Sequence, residues 1–298
     1  MNYRKLGNSD LMISEISFGC MSLGNDEAAD IQLLRSAFDQ GINFFDTADL
    51  YQKGTNEIMV GKALKDIRDK VYIATKVGNQ WRDNGEGWDW NPGKDYILTA
   101  VNNSLKRLQT DYIDLYQLHG GTIDDPIDET IEAFEILKEA GKIRHYGISS
   151  IRPNVIREYV KRSDICSVMI QYSLLDRRPE ESCLALLEEH NIGVLARGGL
   201  ARGLLVDKTP VPYLNYTSEE VKRAKKAMTP MSNGRRNETQ TALKFILYSS
   251  AVSSAVVGIR TQDQLQSAIK TSSLPDLTEE EMLGLQKAIP INLYEQHR

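Results

Sequence analysis

Cysteine is scarce. Cys20, Cys166 and Cys183 are the whole complement of a 298-residue chain, odd in number and widely spaced, which excludes a disulfide framework and points to reduced thiols in a cytoplasmic setting. A basic excess is also missing: 36 Lys and Arg face 41 Asp and Glu, for a formal net charge of -5. Nucleic-acid binders usually show a basic face, so no nucleic-acid partner is expected. No uncharged apolar run approaches the ~18 residues that would span a bilayer, so no membrane association is expected either. The opening MNYRKLGNSD has neither the apolar stretch nor the cleavage site of a signal peptide. Besides His119, the remaining histidines His145, His190 and His297 lack metal-ligand spacing with Cys or acidic neighbours, and no metal is expected. No Gly-x-Gly-x-x-Gly follows an apolar run; GGLARG at 198–203 has the wrong spacing, so a Rossmann dinucleotide site is unsupported.

What is present is ordinary for a globular chain: 41% apolar and 26% charged residues. A chain of this length buries roughly 75% of its unfolded surface, ample for a large core. Short apolar runs alternate with helical patterns along nearly all of it. The runs Ile16–Phe18, Ile42–Phe45, Val71–Thr75, Tyr112–Leu118, His145–Ile148, Val168–Ile170, Ile192–Leu195 and Ser254–Val257 make eight candidate strands. Near-continuous apolar character fits strands buried on both faces of a parallel sheet. Between them, Ile31, Leu34 and Phe38 share a helix face, as do Ile97, Val101, Leu105 and Leu108, and Ile127, Ile131, Phe134 and Leu137. Asn56 and Pro126 read as helix starts and Gly141 as a helix stop.

Eight such units predict an α/β fold, a (β/α)8 TIM barrel forming a single domain over residues 1–298; a doubly wound open sheet is the alternative. An N-terminal β-hairpin, signalled by Gly7-Asn8, would close the barrel bottom. Extra helices and loops are expected outside the repeat. Residues 78–94, which hold all three Trp, read as a long loop after the third strand, and 207–237 as an insertion after the seventh.

In a parallel barrel the residues just past the C-terminal strand ends converge on one mouth. Asp46, Lys76 and His119 close three of the runs, and Tyr51 follows Asp46 in DTADLY. Taken singly, these are a structural ion pair, a loop anchor and a satisfied core histidine. Together they suit proton transfer to a carbonyl oxygen. A Lys ammonium stabilises the phenolate of a nearby Tyr and makes the phenol a better acid. Asp46 would keep that Lys charged and fixed, and His119 would orient the carbonyl.

The motifs NFFDTADLY, IATKVG, DLYQLHG, HYGISS and MIQYSLLDR occur in this order. In them the chain resembles the aldo-keto reductases, from YRKLG to the closing helices. The resemblance implies NADPH-dependent, reversible reduction of aldehydes or ketones, with Tyr51 as general acid, Asp46 and Lys76 tuning it, and His119 orienting the carbonyl. It places the cofactor, NADPH or NADP+, at the mouth: Ser149, Ser150 and Gln171 at the carboxamide, with the backbone of Gly19, Cys20 and Met21 nearby. Ser150 stands where many relatives have Asn. ARGGLARG stands where relatives commonly read Ala-Tyr-Ser-Pro-Leu-Gly-Arg-Gly, which puts Arg197 in place of the ring that stacks on nicotinamide; a guanidinium also stacks on aromatic faces. Gly198, Leu200 and Arg202 follow in the same segment. After the eighth run, Gly258 permits close backbone approach and the next helix start favours a phosphate. Arg260 there would pair with a 2′-phosphate and favour NADPH over NADH. Ser267 and Ala268 replace the usual acidic residue and Asn at the adenine, for which Gln264 is the candidate substitute.

Six basic residues between Val221 and Asn237 (Lys222, Arg223, Lys225, Lys226, Arg235 and Arg236) form either a solvated helix face or a cationic flap over the cofactor. The tail after Pro290 is only INLYEQHR, so an accessible site taking small or medium carbonyl compounds is expected. An NADPH-binding redox-sensing regulatory subunit, similar to potassium-channel β subunits, is the alternative function. A Schiff-base lyase using Lys76 is a third, disfavoured because Asp46 would keep that Lys protonated. Substrate identity and oligomeric state are not legible.

Overall fold

In the computed structural model, which describes every residue except Asn25, Asn233 and Arg235, the chain opens with the expected hairpin. β1 (Tyr3–Lys5) and β2 (Met12–Ser14) pair antiparallel, with Tyr3 opposite Ser14. The turn between them depends on Gly7. Its φ is +54°, and a Cβ there would lie 2.3 Å from the carbonyl oxygen of Cys166.

The following strands in chain order are β3 (Ile16–Gly19), β4 (Phe44–Asp46), β5 (Tyr72–Val77), β6 (Asn79–Trp81), β7 (Trp88–Trp90), β8 (Ile113–Leu118), β9 (Ile143–Ser149), β10 (Ser167–Gln171), β11 (Gly193–Arg197) and β12 (Val252–Gly258). Eight of them, β3, β4, β5 and β8 through β12, pair parallel in sequence order and close on themselves as a barrel. The (β/α)8 architecture is therefore the observed one, and the open sheet is ruled out. The helices are α1 (Glu27–Asp39), α2 (Thr55–Leu64), α3 (Lys94–Leu108), α4 (Ile127–Glu139), α5 (Pro153–Arg162), α6 (Cys183–Glu189), α7 (Ser218–Met228), α8 (Glu238–Leu247), α9 (Gln262–Lys270) and α10 (Glu279–Lys287). Among the described residues α7 and α10 are additions to the barrel repeat.

Strand alternation builds two cores. Outward residues such as Phe45, Ile73, Tyr116, Ile148, Ile170 and Ala196 join the apolar layer under the helices. Inward residues Phe44, Ala74, Leu115, Met169, Leu195 and Val256 cluster with Leu6, Leu11 and Ile13, so the hairpin plugs the N-terminal end of the barrel. One step of two further along, the inner face carries Asp46, Lys76, Gln117, Gln171 and Arg197 instead.

Two expectations change. Residues 78–94 are not a plain loop: Asn79–Trp81 and Trp88–Trp90 form an antiparallel hairpin, which pattern reading missed because each strand has only three residues. Trp90 anchors it, donating from Nε1 to Asp125 at 3.0 Å. Asn56 is no helix start. α2 begins at Thr55 after left-handed Gly54, and the buried Asn56 side chain accepts from Thr47 Oγ1 (2.6 Å) and donates to the Cys20 carbonyl (2.9 Å). Of the two readings of the basic stretch, the solvated helix face is the observed one for Lys222, Arg223, Lys225 and Lys226, which lie on α7. α7 buries Val221, Ala224 and Met228, Lys222 and Arg223 sit near Glu219 and Glu220 at 3.6 Å, and Arg236 is buried against Glu281. Arg235 lies outside the described residues. Pro126 and Gly141 do flank α4 as expected, Pro126 at its N-cap and Gly141 with φ +70° just past its end.

Candidate active site

The polar inner layer gathers four of the expected residues at the C-terminal mouth. Lys76 is fully buried. Its ammonium donates to Asp46 Oδ2 at 2.7 Å and to the Thr47 carbonyl at 2.7 Å, and reaches the Tyr51 hydroxyl at 3.5 Å. The same cation lies 5.1 Å from the centre of the Tyr51 ring. Gln117 Nε2 donates to the other Asp46 oxygen at 3.3 Å. Burial works against the Lys76 charge, but Asp46 and Tyr51 more than offset it, and its pKa is held above the ordinary lysine value.

Tyr51 is positioned by unusual backbone. Gln52, Lys53 and Gly54, which follow it, all have positive φ, at 50°, 55° and 84°. Two consecutive left-handed residues other than Gly are strained, and such strain concentrates at functional sites. Lys53 is tied down from outside: its ammonium donates to the Gly85 carbonyl at 2.8 Å and lies 5.3 Å from the Trp81 ring centre. The β6–β7 hairpin thereby braces the segment that carries Tyr51.

The expectation that Lys76 leaves Tyr51 a stronger acid than usual is not met. Burial outweighs the pull of Lys76, and the phenol sits above its ordinary value. His119 packs edge-on against Tyr51, ring centres 5.8 Å apart. Burial, then Lys76 and Arg197, push its pKa down to about 3, so the imidazole is neutral at physiological pH. Its Nδ1 is buried without a hydrogen-bond partner among the described residues.

The residues expected at the cofactor line the same end of the barrel. Gln171 and Arg197 are neighbours across β10 and β11, and Arg197 Nη1 donates to Gln171 Oε1 at 3.0 Å. Ser149 and Ser150 are buried at the end of β9, and the Ser150 hydroxyl accepts from the Arg152 amide at 3.2 Å. The Cys20 thiol is buried, whereas Met21 is 65% exposed beside it. Gly19 pairs with Asp46 on one side and Gly258 on the other. A Cβ at Gly258 would lie 2.3 Å from Ser22 Oγ, so glycine is needed there for packing. Gly198, with φ +73°, precedes a tight turn holding Leu200 and left-handed Arg202. Arg260 and Gln264 are exposed at the start of α9, where Gln264 Oε1 accepts from the Arg260 amide at 2.9 Å. That carbonyl is thus already engaged with its own helix start. Ser267 is not bare: Asn237 Nδ2 donates to its hydroxyl at 3.0 Å, so an Asn reaches this position from α8's N-cap.

Sequence reasoning missed three contributors. Gln117 stands two residues before His119, and strand alternation alone would have placed it beside Asp46. Asp176 and Tyr213 contact Gln171 from a turn and from the 207–237 insertion, positions that no local periodicity marks.

The aldo/keto reductase family model matches residues 15–290. The chain is 52% identical to an uncharacterized oxidoreductase, YqkF, of Bacillus subtilis, with all of both chains covered. It is 31% identical to an L-galactose dehydrogenase of Arabidopsis thaliana over 95% of this chain and 90% of that one. Among solved structures, the holo form of aldo-keto reductase AKR11C1 from Bacillus halodurans matches with a TM-score of 0.95 at 52% identity, covering 100% of this chain and 99% of the other. The apo form of that protein matches at 0.86 with 48% identity, over 100% of this chain and 99% of the other.

Proposed function

The chain belongs to the aldo/keto reductase family, and on that premise we propose that it reduces aldehydes or ketones to alcohols, reversibly, with NADPH. The observation that carries this reading is the buried Lys76 ammonium held at 2.7 Å from Asp46 and 3.5 Å from the Tyr51 hydroxyl. An ammonium fixed beside a phenol stabilises the phenolate that forms as the phenolic proton leaves. Burial keeps Tyr51 protonated until then. Tyr51 accordingly donates its proton to the carbonyl oxygen of the substrate, Asp46 and Gln117 hold the lysine arrangement, and neutral His119 orients the carbonyl by hydrogen bonding.

The residues at the mouth fit a nicotinamide dinucleotide, which would supply hydride to the carbonyl carbon. Gln171 keeps an acceptor oxygen beside Arg197. Ser149, Ser150 and Gln171 would hold the carboxamide; Gly19, Cys20 and Met21 would border the ring; Arg197 would lay its guanidinium plane against it. Gly198, Leu200 and Arg202 would follow the pyrophosphate, and Gly258, Arg260 and Gln264 the adenosine phosphate at the α9 N-terminus.

The test is oxidation of NADPH against a panel of aldehydes and ketones, with NADH in parallel. Tyr51→Phe is expected to lower kcat by about 10²–10⁴-fold, the range for loss of a general acid, with NADPH affinity unchanged. Full turnover in that variant would remove the acid assignment. Because His119 is neutral down to about pH 3, the wild-type profile should lack a limb near ordinary histidine values; a limb that vanishes in His119→Gln would contradict the neutral imidazole.

A further inference from the structure

The amide of Gln171 has its two ends fixed by different partners. Its Nε2 donates to Asp176 Oδ2 at 2.8 Å and to the Tyr213 hydroxyl at 3.2 Å, while its Oε1 accepts from Arg197 Nη1 at 3.0 Å. Asp176 is fully buried. Arg178 grips it with two parallel bonds, Nε to Oδ1 at 2.7 Å and Nη2 to Oδ2 at 2.8 Å. The residue is also set in a turn closed by reciprocal backbone bonds with Ser173, at 3.2 and 3.0 Å. A carboxylate in an ion pair accepts and does not donate, so only the amino end of Gln171 can face it. Tyr213 is held by a small backbone bridge to Tyr216. The carbonyl end must therefore point away, toward Arg197 and the mouth. An amide oxygen has two lone pairs, and Arg197 takes one.

We propose that Asp176 is a positioning residue that fixes the polarity of the Gln171 amide, with Tyr213 seating its amino end, so that Gln171 offers the cofactor carboxamide an acceptor and never a donor. This deepens the reading of the mouth as a nicotinamide site and rests on it. The consequence is directional. The carboxamide must present its amino group to Gln171 and its oxygen to the donors on the β9 side, which selects one of its two planar orientations. Arg197 shares the Gln171 oxygen, so the same amide holds the guanidinium edge while leaving its face free.

A polarity change in the ligand tests this more sharply than turnover does. In the 3-acetylpyridine analogue of NADP+ a methyl group replaces the carboxamide amine, leaving an acceptor only. Dissociation constants of NADP+ and of this analogue are measured by titration calorimetry for each protein, and their ratio is the readout. Wild type should bind the analogue about tenfold more weakly, the worth of roughly one hydrogen bond left unmade. In Asp176→Asn combined with Arg197→Met, neither a carboxylate nor a guanidinium sets the amide, so Gln171 is free to turn over and the ratio should fall to about one. Arg197→Met alone should keep the wild-type ratio, because Asp176 still holds the amino end. Gln171→Leu should also bring the ratio to about one, and Tyr213→Phe should leave it near wild type, since a phenol hydroxyl accepts or donates and sets no polarity. A folded double variant with the wild-type ratio overturns the proposal. Should loss of the Arg178 pair prevent folding, Arg197→Met decides, and a ratio that falls to about one in it overturns the proposal. Failure of wild type to bind either dinucleotide would instead count against the nicotinamide site itself.

Discussion

The two ends of the barrel interior are built from the same strands and do opposite things. At the N-terminal end, Leu6, Leu11 and Ile13 of the hairpin meet Phe44, Ala74, Leu115, Met169 and Leu195, all buried and apolar. Two residues further along those strands stand Asp46, Lys76, Gln117, Gln171 and Arg197. The lower layer buries hydrocarbon with nothing left to satisfy, and it fixes the barrel. In the upper layer charges are buried and held by one another, and His119 Nδ1 and Gln117 Oε1 have no partner among the described residues. Such an arrangement is poor for stability and useful for chemistry. The lesson is that one step of strand alternation separates the part that holds the fold from the part that acts.

The comparison breaks most visibly at Lys76. Lys76→Met leaves the Asp46 carboxylate buried without its cation, a change that typically costs about 3–5 kcal/mol. Denaturant unfolding should show that loss together with loss of carbonyl reduction. Asp46→Asn combined with Lys76→Met should recover part of the stability and none of the activity, because the two sites are in contact and their effects are coupled. Equal destabilisation in the single and double variants would mean the pair is not the organising contact of the upper layer.

The matching experiment at the lower layer is Leu11→Ala. Leu11 is 1% exposed and sits in the plug, so truncation should cost about 2–5 kcal/mol through lost burial and the cavity left behind. Its kcat and KM for carbonyl substrates should match wild type at temperatures where the variant stays folded. A changed KM would show that the two ends are coupled and would blur the division.

How much of this was legible follows from the same alternation. Period and residue type disclosed the eight barrel strands, the hairpin plug, and Asp46, Lys76 and His119, because each stands at the end of an apolar run where the pattern itself changes. Tyr51 was legible only through its distance from Asp46, since nothing local announces the left-handed Gln52 and Lys53 that place it. The β6–β7 hairpin escaped because Asn, Gln, Asp and Trp in three-residue strands give no periodicity. Asp176 and Tyr213 escaped because their role depends on contacts between separate loops. The balance of burial against Lys76 at Tyr51 was misjudged for a related reason: a sequence names the neighbouring charge but not how dry the site is.

A pH-dependent effect lies just behind the mouth, at Asp49, and it sharpens the claim that ionisable groups near the upper layer are held against stability. Asp49 is 8% exposed, and its Oδ1 has no hydrogen-bond partner among the described residues. It lines a cavity of about 210 Å³ with Asn79, Trp81, Tyr96 and Arg107. Arg107 is committed to Glu57, which accepts from its Nε at 2.6 Å. Burial, and then the nearby Glu57, push the Asp49 pKa up to about 8. The folded protein therefore keeps a proton that the unfolded chain releases near 3.8. Between those two values the folded state binds more protons, so this group's contribution to stability falls as pH rises, and it becomes constant above about 8. Asp49→Asn keeps the shape and removes the titration. Its melting temperature should exceed that of wild type by a margin that widens from weakly acidic pH to about pH 8 and then levels. A margin that is flat across the range, or an Asn variant less stable than wild type at the alkaline end, would show that Asp49 is satisfied as a carboxylate and that the strain is confined to the Asp46–Lys76 layer.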